Sequence, residues 1–243
     1  MADRNLAIVV GAAGGIGQAL AAELHADPTY DQVLSLSRSR PEGWIDNERR
    51  AWRPIDILDE TSLVAAAAYA RGLGTPRRIV VATGRLQADG LPPEKAMRSL
   101  DLANLTTLFA INAAGPALVA KHFLPLTPRD GPSLFAVLSA RVGSISDNRL
   151  GGWYGYRAAK AALNMLVRTL AIEHQRTRPL GLCVALHPGT VDTDLSAPFR
   201  GRLDPERLFS AQQAAAALVT VMNRLGPEDN GSFLAWDGSA IPW

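Results

Sequence analysis

The chain has 243 residues, 47% of them apolar and 20% charged, with a formal net charge of +2. That apolar share excludes a disordered chain, and a near-neutral balance with no long basic run excludes a nucleic-acid tract. A single cysteine, Cys183, excludes an intramolecular disulfide; set in an apolar run, it reads as a buried inert thiol.

The opening MADRN leads into the apolar run Leu6–Val10, which is too short for a signal h-region or a membrane span. A cytoplasmic protein with no membrane association is therefore expected. Leu6–Val10 reads as the first strand. It runs into Gly11-Ala12-Ala13-Gly14-Gly15-Ile16-Gly17 and then a helix over 16–26. Glycines in a strand-to-helix turn let main-chain N–H groups approach a pyrophosphate, and the helix N-terminus adds partial positive charge. Gly11, Gly15, Ile16 and Gly17 are thus candidate cofactor contacts. The spacing is G-x-x-x-G-x-G rather than G-x-G-x-x-G, and a glycine-rich turn that binds nothing fits the same residues.

The second strand, Val33–Ser37, ends in Ser37-Arg38-Ser39 with no acid. In a dinucleotide fold an acid at this point takes the ribose 2′-hydroxyl, whereas an arginine accommodates a 2′-phosphate. Ser37 and Arg38 therefore favour NADP(H) over NAD(H), although Arg38 also fits a solvated surface charge. A weaker strand, Trp52–Ile57, follows. Asp56 and Ile57 at its end are candidates for the adenine side, and Asp56 fits a helix N-cap equally well.

A helix is expected over 59–73, a strand over Ile79–Ala82, and a long helix over 101–124. Strand Leu134–Leu138 precedes a helix over 155–176. Strand Leu182–Leu186 comes next, then a helix over 210–225 opened by a Ser210/Gln213 capping box, and a last strand Ser232–Trp236. The Pro/Gly-rich pieces Asp89–Pro93, Thr127–Pro132 and Thr193–Pro205 read as loops. Most strands are continuously apolar, as strands buried on both faces of a parallel sheet are. Strand–helix alternation from end to end predicts an α/β, Rossmann-like doubly wound sheet in a single domain over 1–243, with a substrate lid near 194–209.

Tyr156 and Lys160 stand four apart on the 155–176 helix and so share a face. A free phenol titrates at about 10, and a nearby ammonium lowers that value toward use as an acid or base. The pattern occurs by chance on surface helices. Its weight comes from its place after the fifth strand, on the ligand-binding side of the sheet, and from the fact that the chain has only three lysines, Lys95, Lys121 and Lys160. Arg85, Arg141 and Arg149 read as surface charge. His25, His122, His174 and His187 form no metal-ligand spacing, so no metal is expected, and His187 reads as structural. No G-x-S-x-G elbow is present, which disfavours hydrolase chemistry.

Taken together, Gly11/Gly15/Gly17, Asn112, Tyr156–Lys160 and Pro188-Gly189-Thr190-Val191-Asp192-Thr193 resemble the short-chain dehydrogenase/reductase family in order and spacing, over the whole chain. The runs Ser139–Ile145, Gly151–Tyr154 and Trp236–Trp243 look more specifically like its C-factor and sniffer-type carbonyl reductase branch. The resemblance implies a seven-stranded parallel sheet and an Asn-Ser-Tyr-Lys site. Lys160 would also hold the nicotinamide ribose, and Asn112 would keep a water linked to Lys160. Pro188, Gly189, Val191 and Thr193 would contact the nicotinamide side. A homodimer or homotetramer is implied through the Ala-rich helix around Tyr156–His174.

Three positions depart from the family pattern. Val10 stands where a threonine braces the next loop. Val81-Ala82-Thr83-Gly84 replaces Asn-Asn-Ala-Gly, leaving Thr83 and Gly84 as the cofactor contacts there. Ala140 takes the place of the second serine of Ser-Ser-x-x-Gly, so that either Ser139 serves, or Ser144 reaches in, or no serine acts. Losing such a donor costs roughly 2.7–4 kcal/mol. The function expected is an NADP(H)-dependent oxidoreductase acting on a small-molecule carbonyl or alcohol. The rival is an NADP(H)-binding sensor or signalling protein with little turnover, and a sugar-nucleotide epimerase would need a further substrate domain. Substrate choice is expected in 85–98 and 194–209, through Leu91, Leu195, Pro198, Phe199, Leu203 and Leu208.

Overall fold

The computed structural model describes residues 4–41, 43–87, 92–196 and 208–243. Its strands are β1 (Asn5–Val10), β2 (Gln32–Ser37), β3 (Arg50–Pro54), β4 (Thr75–Val81), β5 (Ser133–Leu138), β6 (Gly181–His187), β7 (Thr190–Val191), β8 (Leu208–Phe209) and β9 (Phe233–Ala235). Its α-helices are α1 (Gly15–Ala26), α2 (Glu60–Leu73), α3 (Leu102–Phe109), α4 (Gly115–Phe123), α5 (Tyr154–Gln175) and α6 (Ala211–Met222). Seven strands form one parallel sheet in the order β3-β2-β1-β4-β5-β6-β9. The order reverses between β1 and β4, and there an open α/β sheet leaves a crevice at its carboxyl edge.

Successive residues of each strand enter different cores. Leu6, Ile8 and Val10 pack with α2, α4 and α5, while Ala7 and Val9 pack with α1 and α6. Both faces of the sheet are covered, and this is why the strands read as unbroken apolar runs rather than alternating ones. Cys183 on β6 is fully buried, and burial pushes its thiol up to about 12, so it is inert as expected.

The helix expected over 101–124 is not one helix. A π-helical stretch, Ala110–Ala114, separates α3 from α4. Pro116 has no N–H to give to the carbonyl of Asn112 four residues back, and its ring crowds that carbonyl. One wider turn relieves the conflict. The run Leu102–Leu126 is long and apolar enough to cross a membrane by length and composition. Leu108, Ala113, Val119, Ala120 and Phe123 are nevertheless buried.

Other boundaries move for local reasons. The third strand is Arg50–Pro54, not Trp52–Ile57; it lies at the sheet edge, where a proline is tolerated, and stops there. The final helix ends at Met222, short of 225, where the Asn223 cap precedes Gly226-Pro227. Its expected capping box is present: Gln213 N–H donates to Ser210 Oγ at 3.1 Å, and Ser210 N–H to Gln213 Oε1 at 2.8 Å. The pair β7–β8 was not read from the sequence, two residues being too few for a period, and it takes Leu208 out of the expected loop. Of the expected lid, 197–207 lies outside the described residues, and with it Pro198, Phe199 and Leu203; Leu91 lies outside them as well.

Candidate active site

The glycine loop is held by main chain. Gly11 N–H and Ala12 N–H both donate to Leu36 O, at 2.7 and 3.1 Å, and Ala82 N–H donates to Val10 O at 2.7 Å. The bracing that a threonine at position 10 would give is therefore supplied by the backbone. Gly11 has φ +92°, and a Cβ there would stand 2.9 Å from the Ala82 carbonyl carbon. Helix α1 begins at Gly15 with no side-chain cap on Gly14, so its first N–H groups remain for a ligand.

A cavity of about 1040 Å³ opens beside this loop at the carboxyl edge of the sheet. Of the residues expected to form the site, Gly15, Ile16, Gly17, Arg38, Thr83, Gly84, Ser139, Tyr156, Lys160, Pro188, Gly189, Val191 and Thr193 line it. Gly11, Ser37, Asp56, Ile57 and Asn112 are not on its wall. Gly11 acts from behind as the turn. Ser37 Oγ is already engaged, donating to Ser39 O at 2.7 Å and accepting from Trp52 Nε1 at 2.9 Å. Asp56 is no helix cap. Its Oδ1 accepts from Leu58 N–H at 2.9 Å in a turn, and Asp59 caps α2. Ile57 is buried against Gly115, where a Cβ would meet its Cδ1 at 2.5 Å.

At the other end of the cavity the wall is side chain. Tyr156, Ala159, Lys160, Leu163, Asn164 and Val167 share the buried face of α5. Burial pushes the Tyr156 phenol up and the Lys160 ammonium down to about 7. Lys160 Nζ donates to Leu138 O at 2.8 Å and sits 5.8 Å from the centre of the Tyr156 ring. Asn112, in the π turn, accepts from Arg85 N–H at 2.9 Å and donates to Arg85 O at 2.8 Å and Leu108 O at 3.0 Å. Its Oδ1 and Lys160 Nζ both lie against Gly84, at 3.3 and 3.6 Å from where a Cβ would stand. The π turn thus brings Asn112 behind the lysine.

The two serines part company. Ser144 is buried in its own loop, where its Oγ accepts from Asp147 N–H at 3.1 Å, and it is not on the cavity wall. Ser139 is on the wall, but its hydroxyl donates to Asn164 Oδ1 at 2.6 Å. Ala140 lines the cavity beside it.

Several wall residues were not read from the sequence as part of the site. Arg141, expected as plain surface charge, stands at the cavity mouth and pairs with Asp147 at 3.1 Å. His187, expected to be structural, lines the cavity; burial and Arg141 lower its pKa to about 4, and its Nδ1 is buried without a partner. Leu150 and Arg157 also line the cavity, together with Lys95 of the 85–98 segment expected to set substrate choice and Trp153 of the Gly151–Tyr154 run. The one available signal was Gly151-Gly152 before an aromatic residue, a pair that marks positive φ. Both glycines have φ above +60°, and Trp153 follows at +50°.

A family model described as short chain dehydrogenase matches residues 5–203. Among curated relatives, C-signal of Myxococcus xanthus is 35% identical over 149 residues, covering 61% of this chain and 84% of that protein. A 1-hydroxy-2-glutathionyl-2-methyl-3-butene dehydrogenase of Rhodococcus sp. (strain AD45) is 29% identical over 238 residues, covering 97% and 98%. Among solved structures, the NADPH-bound carbonyl reductase from chicken fatty liver superimposes with a TM-score of 0.81 at 25% identity, covering 100% of each chain.

Proposed function

The chain belongs to the short-chain dehydrogenase family, and from that premise we propose that it is an NADP(H)-dependent carbonyl reductase or alcohol dehydrogenase with Tyr156 as its acid or base. The observation that carries this reading is the burial of Tyr156 and Lys160 together on one wall of a cavity whose other wall is the uncapped N-terminus of α1.

The cleft fits the cofactor. The Thr83 hydroxyl is buried on its wall without a partner, and at Gly15 a Cβ would stand 3.1 Å from Thr193 Cγ2. In this reading the N–H groups of Gly15, Ile16 and Gly17 hold the pyrophosphate. Arg38, on the cavity wall and with no acid beside it on the strand end, accommodates the 2′-phosphate. Thr83, Gly84, Pro188, Gly189, Val191 and Thr193 hold the nicotinamide half, and Lys160 its ribose. The adenine contacts expected of Asp56 and Ile57 have less support, since neither reaches the cavity.

Bound NADPH supplies the hydride to a carbonyl carbon. Tyr156 gives the proton to the carbonyl oxygen, or takes it from the alcohol in reverse. Lys160, on the same buried face of α5, stabilises in its protonated form the tyrosinate left behind. Asn112, fixed behind Lys160 by Arg85, holds the water path through which the pair recovers its proton. Ser139, on the cavity wall, faces the substrate oxygen in this reading, but its hydroxyl already donates to Asn164, so it serves as a weak second donor. Leu86, Leu150, Trp153 and Leu195 favour an apolar substrate body. Leu102, Phe109, Met165 and Ile172 face outward on α3 and α5, which supports self-association as a homodimer or homotetramer. A cytoplasmic location belongs to the same proposal.

The test is NADPH oxidation against a panel of aldehydes, ketones and quinones. Tyr156→Phe is expected to lower kcat by about a thousandfold, within the range for a lost general acid, and to leave NADPH affinity within about threefold. A variant with near-full turnover removes Tyr156 from the reaction. A wild-type protein that binds NADPH tightly and turns over nothing in the panel would instead favour the sensor reading, which Ala140 at the usual serine position invites.

A further inference from the structure

We propose that Glu94 is a positioning residue for Tyr156: by its carboxylate on Gly155 and its main-chain carbonyl on Trp153, it sets where the tyrosine-bearing helix begins. The inference rests on the catalytic role assigned above to Tyr156.

The entry to α5 is unusual. Gly151, Gly152 and Trp153 have φ of +62°, +66° and +50°, three left-handed residues in a row. Left-handed residues ordinarily occur singly, and a bulky side chain there is strained. Something must hold the turn, and Trp153, at the N-cap position, supplies no side-chain cap of its own.

Glu94 supplies it from outside the helix. Its side chain is buried, and its two carboxylate oxygens are divided between two donors. Oε1 accepts from Asn104 Nδ2 at 2.5 Å, and Oε2 accepts from Gly155 N–H at 3.3 Å. Its carbonyl oxygen accepts from Trp153 N–H at 2.5 Å. The fit leaves no slack: a Cβ on Gly155 would stand 2.9 Å from Glu94 Oε1 and 2.8 Å from Leu108 Cδ1. On the opposite side Arg157 closes the clamp. Its Nε donates to the carbonyls of Gly151 and Gly152 at 3.2 and 3.0 Å, and its Nη1 to Val142 O at 3.3 Å.

Tyr156 is the residue between the Gly155 contact and Arg157. Any shift of the first turn therefore moves the phenol, and a misplacement near 1 Å is enough to slow a positioned proton transfer by as much as about a hundredfold. An acceptor at a helix N-terminus is also favoured by the helix dipole. The next residue, Lys95, lines the cavity, so one short segment touches both the substrate space and the root of the catalytic helix.

The test is Glu94→Met, which keeps the length of the side chain but takes both oxygens away from Asn104 Nδ2 and Gly155 N–H. In single-turnover mixing of NADPH-loaded enzyme with a reducible carbonyl, the rate constant is expected to fall about tenfold. The amplitude, the carbonyl KM and the NADPH Kd should each stay within about twofold. Loss of amplitude at an unchanged rate constant would mean fewer folded molecules and no positioning role; an unchanged rate and amplitude would likewise overturn the inference. Should Glu94→Met fail to bind NADPH, Glu94→Asp decides, since it keeps the carboxylate but draws it back from Gly155 by one methylene. There a rate constant about threefold lower supports the role, and an unchanged one overturns it. Tyr156→Phe separates the two layers. If it keeps turnover, the catalytic reading falls; if it is inactive while Glu94→Met is normal, only the positioning role falls.

Discussion

Along the cleft, the glycine-loop end is walled by main chain and the tyrosine end by side chains. At the first, Leu36 O, Val10 O and Gly11 O take the N–H groups that hold the turn, and the side chains at Gly11, Ala12, Gly14, Gly15 and Gly17 are absent or a single methyl. At the second, Tyr156, Lys160 and Ser139 on the wall, with Asn112 and Asn164 behind it, are all buried polar groups, and all but Tyr156 are fixed by a named partner. The difference predicts opposite sensitivities. A main-chain wall tolerates loss of side chains, as Val10 shows, and fails when an atom is added. A side-chain wall changes its chemistry with any one of its members.

The sharpest way to break that contrast is Gly17→Ala. Its Cβ would stand 2.2 Å from Gly11 O, a distance that no side-chain rotation relieves because both partners are backbone. We expect the Kd for NADPH, read by fluorescence titration, to rise at least about a hundredfold, even though the change replaces a poor helix former by the best one. An alanine variant that binds within threefold of wild type would show that the loop yields, and that its rigidity is not what makes the site.

The same division explains what the sequence discloses. The glycine loop, the alternation of strands and helices, and the Tyr156–Lys160 pair are local patterns, each carried by residues within one turn or one helix, and they stand in the structure as expected. Asn112 was legible as a residue but not as a break in its helix, because the cause is Pro116 acting on a carbonyl one turn back, inside an otherwise helical period. Glu94 left no trace: its donors lie 10 and 61 residues further along, and nothing in Pro93-Glu94-Lys95 marks a buried carboxylate. Ser139 and Ser144 differ in their hydrogen bonds, to Asn164 and to Asp147 N–H, which only a folded loop defines. Asp56 and Ser37 sat at the right strand ends, but local turns had already claimed their oxygens.

A second test adds an atom at the side-chain wall. Ala140 lines the cavity where the family pattern carries its second serine, and Ser139 gives its proton to Asn164. Ala140→Ser supplies a hydroxyl with no prior commitment. The expected outcome is a rise in kcat of about tenfold with KM for the carbonyl little changed, part of the roughly 2.7–4 kcal/mol that a well-placed donor on the oxyanion provides. Paired with Ser139→Ala it becomes a measurement of which strand-end residue faces the substrate. If the gain survives in the double variant, position 140 is the productive one. If Ala140→Ser gains nothing and Ser139→Ala alone loses a hundredfold, Ser139 must release Asn164 during turnover, and the side-chain wall is less fixed than its resting hydrogen bonds imply.

The smallest effect belongs to Arg38, where the glycine-loop wall relies on a side chain after all. Arg38 is exposed, and an exposed ion pair contributes about 1 kcal/mol or less, close to a fivefold change in affinity. Arg38→Asp is therefore expected to weaken NADPH binding about fivefold at low salt while leaving NADH nearly unaffected, with the preference for NADPH shrinking as ionic strength rises toward 0.5 M even in the wild type. Salt is the informative variable. A preference that survives high salt, or a loss much beyond tenfold, would mean that the phosphate is held in a dry pocket with further donors. Ser37, whose hydroxyl is engaged by Ser39 O and Trp52 Nε1 in the resting structure, would then have to rearrange around it.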